Sequence, residues 1–288
     1  MVKKTITSPI LLISISILLI TGCVYQKAYY INPMFGRTNP YIAKPLLSDF
    51  VKSANYGELT YSAGNNNFLF NDQVNALDAQ FYHTNQVNLF HFYYGGNLSL
   101  GNYRVSSYSN SYESTGIDTA YLNAHSGYKF FGNLGIQGGA DFTLPLGKSE
   151  WRFIGVDISV NREFGQYLNF RRSLKDTMVS GVTRSAFLAT LGISSEMTFH
   201  LKNGNFGWKL ETGTQLGNLG FEQVSNSGNT LTGHTTGVFF DFVFQVTYKQ
   251  WTGYFEAEQG TLQSNDMLGL IYKIGSKRYK TRNSRIFP

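Results

Sequence analysis

Phe240–Lys249, FDFVFQVTYK, alternates with a period of two from end to end. Phe240, Phe242, Phe244, Val246 and Tyr248 fall on one face of an extended chain. Asp241, Val243, Gln245, Thr247 and Lys249 fall on the other, because successive side chains of a strand point to opposite sides. A helix would scatter both sets around its axis, so the spacing predicts a strand. The next run continues the rhythm: Trp251, Gly253, Phe255 and Ala257 oppose Thr252, Tyr254, Glu256 and Glu258.

The same pattern recurs upstream. Leu191, Ile193, Met197, Phe199 and Leu201 oppose Thr190, Gly192, Ser194, Glu196, Thr198 and His200, with Ser195 the one polar residue on the oily side. Leu134, Ile136, Ala140, Phe142 and Leu144 oppose Gly135, Gln137, Gly139, Asp141 and Thr143. Weaker runs are read near 56–62, 78–84, 86–94, 96–104, 119–129, 151–161, 207–215 and 266–275. Between many of them stand Asn, Gly and Ser clusters that suit hairpin connections. The stretch 162–186 is less regular and reads as a long loop or a short helix. No helix of about twelve residues is expected, and roughly ten to twelve strands are.

Composition agrees with this. Only 15% of the 288 residues are charged, whereas 16% are aromatic, with 23 Phe, 19 Tyr and 30 Gly. That balance favours β structure with many turns. The formal charge of +6 misleads. Lys3 and Lys4 lie in an N-terminal leader, and Lys273, Lys277, Arg278, Lys280, Arg282 and Arg285 crowd the C-terminus. The chain between them is slightly acidic. The basic end suits anionic headgroups or an acidic partner, and no nucleic acid is expected.

Alternation alone leaves two architectures, because a polar face can look outward in a sandwich or inward in a barrel. Three features point to an antiparallel meander closed into a single β-barrel. Adjacent hairpins close naturally. Gly135, Gly139 and Gly192 sit on the polar faces, where a crowded interior needs small residues. The aromatic content exceeds what a solvated sandwich requires. Tyr248 and Trp251 stand near a strand end, where headgroup-level aromatics belong. The expected interior holds Asp141, Glu196, Lys209, Glu211, Asp241, Lys249, Glu256, Glu258 and Lys273 as paired groups.

The N-terminus carries a different signal. Lys3 and Lys4 precede an oily run, Leu11 to Ile20, that is too short to span a bilayer as a helix. It ends in Ile20-Thr21-Gly22-Cys23, and Cys23 is the only cysteine. A lone cysteine excludes an intramolecular disulfide framework and a cysteine-rich metal site. The arrangement resembles the lipobox of bacterial lipoproteins, which implies an acylated Cys23 as the mature N-terminus. The expected organisation is a signal peptide over 1–22, an extended anchor linker over 23–52, a barrel over 53–276 and a basic tail over 277–288. Half of the six prolines, Pro33, Pro40 and Pro45, fall in the linker.

Cys23 is followed by Tyr30, Asn32-Pro33, Pro45-Leu46-Leu47 and Gly57-Glu58, and then by long aromatic hairpins. With the leader, these resemble small barrel-forming lipoproteins of Bacteroidota outer membranes. That resemblance implies an outer-membrane location, with lipid and other envelope proteins as partners. Surface-exported members of that group carry acidic residues soon after the cysteine. Val24-Tyr25-Gln26-Lys27-Ala28 has none, so the resemblance implies a periplasmic N-terminus.

Little points to catalysis. His83, His91, His125, His200 and His234 are scattered, and no metal or cofactor is expected. Glu256 and Glu258 share a strand face about 7 Å apart, a common polar arrangement that also suits a paired acid and base. His125 and Ser126 are the candidates for a lipid-modifying Ser/His site. The primary expectation is a non-enzymatic structural or accessory subunit of an envelope assembly. Its partner surfaces would be loops 106–118, 162–186 and 222–236 and the basic residues Lys277, Arg278, Lys280, Arg282 and Arg285. The alternatives are a glycan- or peptide-binding module using Trp151, Trp208 and Trp251, and an outer-membrane lipid-modifying enzyme.

Overall fold

The computed structural model describes residues 29–34, 40–66, 71–107, 119–175, 179, 181–215, 221–223, 234–235, 237–260 and 263–279. Cys23, Lys280, Arg282 and Arg285 lie outside them. Ten strands form a closed barrel: β1 (Val51–Asn66), β2 (Asp72–Val87), β3 (Phe90–Val105), β4 (Gly127–Pro145), β5 (Ser149–Gly165), β6 (Phe187–Leu201), β7 (Gly204–Gln215), β8 (Val238–Tyr248), β9 (Trp251–Gly260) and β10 (Gln263–Arg278). Every pairing is antiparallel and joins strands consecutive in the chain. β10 pairs with β1 to close the ring, so no edge is left open.

The two ends of the barrel differ. At one end β2–β3, β4–β5, β6–β7 and β8–β9 are joined by turns of two or three residues, and β1 begins and β10 ends there. The other end carries the long connections that follow β3, β5 and β7. Helix α1 (Thr119–Ala124) belongs to the first of these and helix α2 (Gln166–Ser173) to the second. A small sheet joins Tyr29–Tyr30, Gly181–Val182, Phe221–Gln223 and His234–Thr235.

Two readings of the sequence need correction. The run 119–129 is helix α1 followed by the start of β4, not a strand. Leu122 is buried there against the long-loop end, and a single buried leucine gives no period to read. The runs 78–84, 86–94 and 96–104 are two strands, because a turn at Asn88–Leu89 divides the middle one. Asn88 takes a left-handed conformation, φ 55°, with no glycine or proline to mark it. Within the irregular stretch 162–186, α2 is the short helix.

The faces sort as the alternation requires. On β8, Phe240, Phe242, Phe244, Val246 and Tyr248 are between 38% and 54% exposed, whereas Asp241 and Val243 are at most 1% exposed. Every barrel strand presents large apolar side chains outward, among them Leu59, Phe81, Phe92, Ile136, Ile158, Ile193, Leu210, Phe255 and Leu270. Monomers in water rarely expose apolar patches beyond a few hundred Å². Full burial of such a side chain is worth about 1.5–3 kcal/mol, so a belt around the whole wall would be strongly unfavourable against water and is at rest against acyl chains.

The inward glycines answer to crowding. A Cβ on Gly139 would stand 2.5 Å from the Tyr93 ring and 2.6 Å from the Val156 carbonyl oxygen. One on Gly135 would meet Asn161 Oδ1 at 1.8 Å, and one on Gly192 would meet Glu211 Oε1 at 2.1 Å.

Candidate functional site: a threaded polar lumen

The interior is lined by buried polar residues from every strand, including Glu58, Asp78, His91, Asn133, Asp157, Thr190, Lys209, Asp241, Glu256 and Asn265. Alternation places them there, and burial obliges them to pair. Tyr254 donates its hydroxyl to Glu58 (2.6 Å). Ser159 and Thr190 share a hydrogen bond of 2.6 Å. Lys209 pairs with Glu211 and lies 3.6 Å from Asp157, whose other oxygen accepts the Tyr93 hydroxyl. Gln137 donates to Gln80.

The chain before β1 completes this network. Residues 40–47 run inside the barrel, and all but Lys44 are buried along their whole length. Pro40 and Pro45 lack the N–H that a ladder position needs, so this stretch cannot join the wall as a strand. Its N–H groups find lumen acceptors instead. Tyr41 donates its N–H to Glu256 Oε2 (3.1 Å) and its hydroxyl to Glu196 Oε1 (2.8 Å). The Ala43 N–H goes to the Tyr82 hydroxyl (2.9 Å). Leu47 and Ser48 donate their N–H groups to the two oxygens of Glu150 (3.0 and 3.1 Å). Tyr41, Ile42 and Ala43 also pack among Tyr56, Tyr82, Tyr93, Val243, Tyr254 and Ile271.

A buried charge cluster clamps the leader. Lys44 Nζ lies 2.6 Å from Asp141 Oδ2 and 5.3 Å from the centre of the Tyr93 ring. His91 Nδ1 lies 3.1 Å from Asp141 and 3.0 Å from Thr143. Arg152 pairs with Glu196, stands 3.9 Å from Asp141, and donates to the carbonyl of Lys44 (3.2 Å). Charges buried in this way are tolerable only when matched, and each acid here has a basic partner.

Each end of the lumen is different. The long-loop end is capped by a cluster of Tyr30, Tyr103, Val105, Leu122, Phe131, Tyr167, Phe170, Leu174 and Val182. Tyr103 and Tyr167 stack at 3.9 Å, and Arg171 bridges Glu163 and the Thr183 carbonyl. Burial pushes the Tyr167 hydroxyl well above the usual phenol range, so it stays neutral. The short-turn end opens instead as a cup of about 440 Å³, rimmed by Lys202, Lys249, Lys273 and Arg278 around Asp49, with Lys44 and Arg152 at its floor.

The sequence candidates distribute over three places. Trp151, Trp208 and Trp251 all lie on the outer face, Trp251 against Tyr272 (4.6 Å) and Trp151 donating its indole N–H to Ser195 (3.0 Å). That bond accounts for the polar Ser195 on the oily side. Lys277 and Arg278 are exposed at the end of β10. His125 and Ser126 each bond to a backbone carbonyl of α1, Tyr121 (2.8 Å) and Asn123 (2.9 Å) respectively. Glu256 and Glu258 both face the lumen, buried. Among the described residues no group of three or more His, Cys, Asp or Glu could hold a metal ion.

Sequence reading missed Tyr41, Lys44 and Arg152. Arg152 was within reach, since it stands directly across from Glu196 in the β5–β6 register. Lys44 was not, because no local pattern links it to Asp141.

No protein-family model and no curated protein matches the chain. Solved structures do resemble it. The β domain of the Bordetella autotransporter BrkA is 10% identical, with a TM-score of 0.38 over 77% of this chain and 98% of that one. OmpT, an outer membrane protein of Vibrio cholerae, is 12% identical, with a TM-score of 0.31 over 70% of this chain and 61% of that one. LpxR from Salmonella typhimurium is 7% identical, with a TM-score of 0.34 over 75% and 99%.

Proposed function

We propose that the chain is a lipid-anchored outer-membrane barrel, sealed by its own leader, that serves as a structural or accessory subunit of an envelope assembly. The observation that carries this reading is the inversion of the usual protein: oily side chains cover the outside and buried polar groups fill the inside. Strands of 10 to 19 residues meet or exceed the nine to eleven that a transmembrane strand needs. Aromatics collect towards both ends of the wall, with Tyr248, Trp251, Phe90 and Phe92 on the short-turn side and Tyr128, Phe130, Phe164 and Phe187 on the other. A filled lumen suits scaffolding better than solute flow. The basic rim of the cup offers an acidic partner a complementary surface.

Heat-modifiable migration on a gel tests the membrane barrel: the unboiled, detergent-extracted protein is expected to run at a different position from the boiled one. A chain that folds as a monomer in plain buffer after Cys23→Ser would overturn it. The accessory role is tested by co-purification from detergent. The double variant K273E/R278E is expected to keep its heat shift and lose its partner. Unchanged co-purification would remove the cup from the interface.

A further inference from the structure

We infer that the lumenal leader delivers the N-terminal end of the chain to the long-loop face of the barrel, so that an acyl group on Cys23 sits in the outer leaflet. The acyl part rests on the lipid-anchored outer-membrane reading above, whereas the routing rests on contacts alone. β1 starts at Val51, at the short-turn mouth. Glu150, one residue inside that mouth, holds Leu47 and Ser48. Tyr41 is held deeper, by Glu196 and Glu256, each five residues from the end of its strand at that mouth. Tyr30 is wholly buried in the opposite cap, where its ring meets Phe170 edge-on (5.3 Å) and its carbonyl accepts the Thr183 N–H (3.0 Å). Tyr29 and Tyr30 pair in parallel with Gly181 and Val182, in the long connection that follows β5. Residue 47 therefore stands at one mouth of the ring and residue 29 at the other.

Face and distance then decide the leaflet. In outer-membrane barrels the short turns are periplasmic and the long loops extracellular. Cys23 precedes Tyr29 by six residues, which at full extension reach about 20 Å. The hydrocarbon core is about 30 Å thick, so an acyl chain on Cys23 cannot return to the inner leaflet. The expected periplasmic N-terminus, drawn from the absence of acidic residues after Cys23, gives way to this placement. A chain threaded through its own ring carries its N-terminal end across without an acidic export signal.

Three single-thiol variants test it in intact cells with a membrane-impermeant maleimide. Ala124→Cys in α1 marks the long-loop face, Lys148→Cys in the β4–β5 turn marks the short-turn face, and Lys27→Cys reports the leader. Lys27→Cys and Ala124→Cys are expected to label on intact cells, and Lys148→Cys only after the outer membrane is permeabilised. A Lys27→Cys that labels only with Lys148→Cys overturns the routing. A Lys148→Cys that labels on intact cells while Ala124→Cys does not overturns the outer-face assignment. Mass spectrometry of the N-terminal peptide reads acylation separately. An unmodified Cys23 overturns the lipid placement, whatever the thiols show.

Discussion

At the scale of single residues, Arg152 and Gly139 carry opposite lessons about the same interior. Arg152 ties Glu196, Asp141 and the leader carbonyl of Lys44 into one cluster. Removing one partner from a buried ion pair leaves the other charge unmatched, which costs about 3–5 kcal/mol. Arg152→Met is therefore expected to destabilise the barrel by that amount in urea titrations of protein refolded into lipid vesicles. Gly139 matters for what it lacks. Because a Cβ there meets a backbone oxygen as well as the Tyr93 ring, Gly139→Ala is expected to cost about 1–3 kcal/mol. Gly253→Ala serves as control, since nothing lies within 4 Å of its missing Cβ, and its titration midpoint is expected to stay put. The glycine on a polar face was legible in the sequence. What crowds it was not, because Tyr93 and Val156 come from neighbouring strands.

At the scale of elements, β8 is the plainest case of pattern becoming wall. Phe242 stands near the middle of the strand, opposite Leu210 on one side and Ala257 on the other. An arginine facing lipid at mid-depth costs about 2–4 kcal/mol, so Phe242→Arg is expected to lower stability in vesicles by that much. Phe242→Leu should leave it nearly unchanged, and an equal loss in both variants would place Phe242 in a packed core instead. The period-two runs made most of the strands readable, since each face meets a uniform environment. The turn at Asn88–Leu89 and helix α1 escaped, because neither depends on a repeated face. The leader escaped for a deeper reason. Pro33, Pro40 and Pro45 mark it as not being wall, but its path is set by Glu150, Asp141, Tyr82 and Glu196, which only closure of the ring assembles.

At the scale of the molecule, the leader occupies the space that a pore would need. A full-length chain in a planar bilayer is expected to pass no measurable current. Deletion of residues 24–46 removes Lys44 from the charge cluster and Tyr30 from the cap, and it is expected to produce discrete conducting events. A deletion variant that still shifts on heating yet stays silent would mean that the side chains alone stop the lumen. The ring is continuous, with β10 zipped to β1 along most of their lengths. With the proposed acyl group on Cys23 the leader would be a bead-tipped thread, which cannot be pulled through a finished hoop. On that reading folding would drape the sheet about the thread first and fasten the seam between first and last strands as its closing act, after which the two are interlocked until the hoop is unstitched.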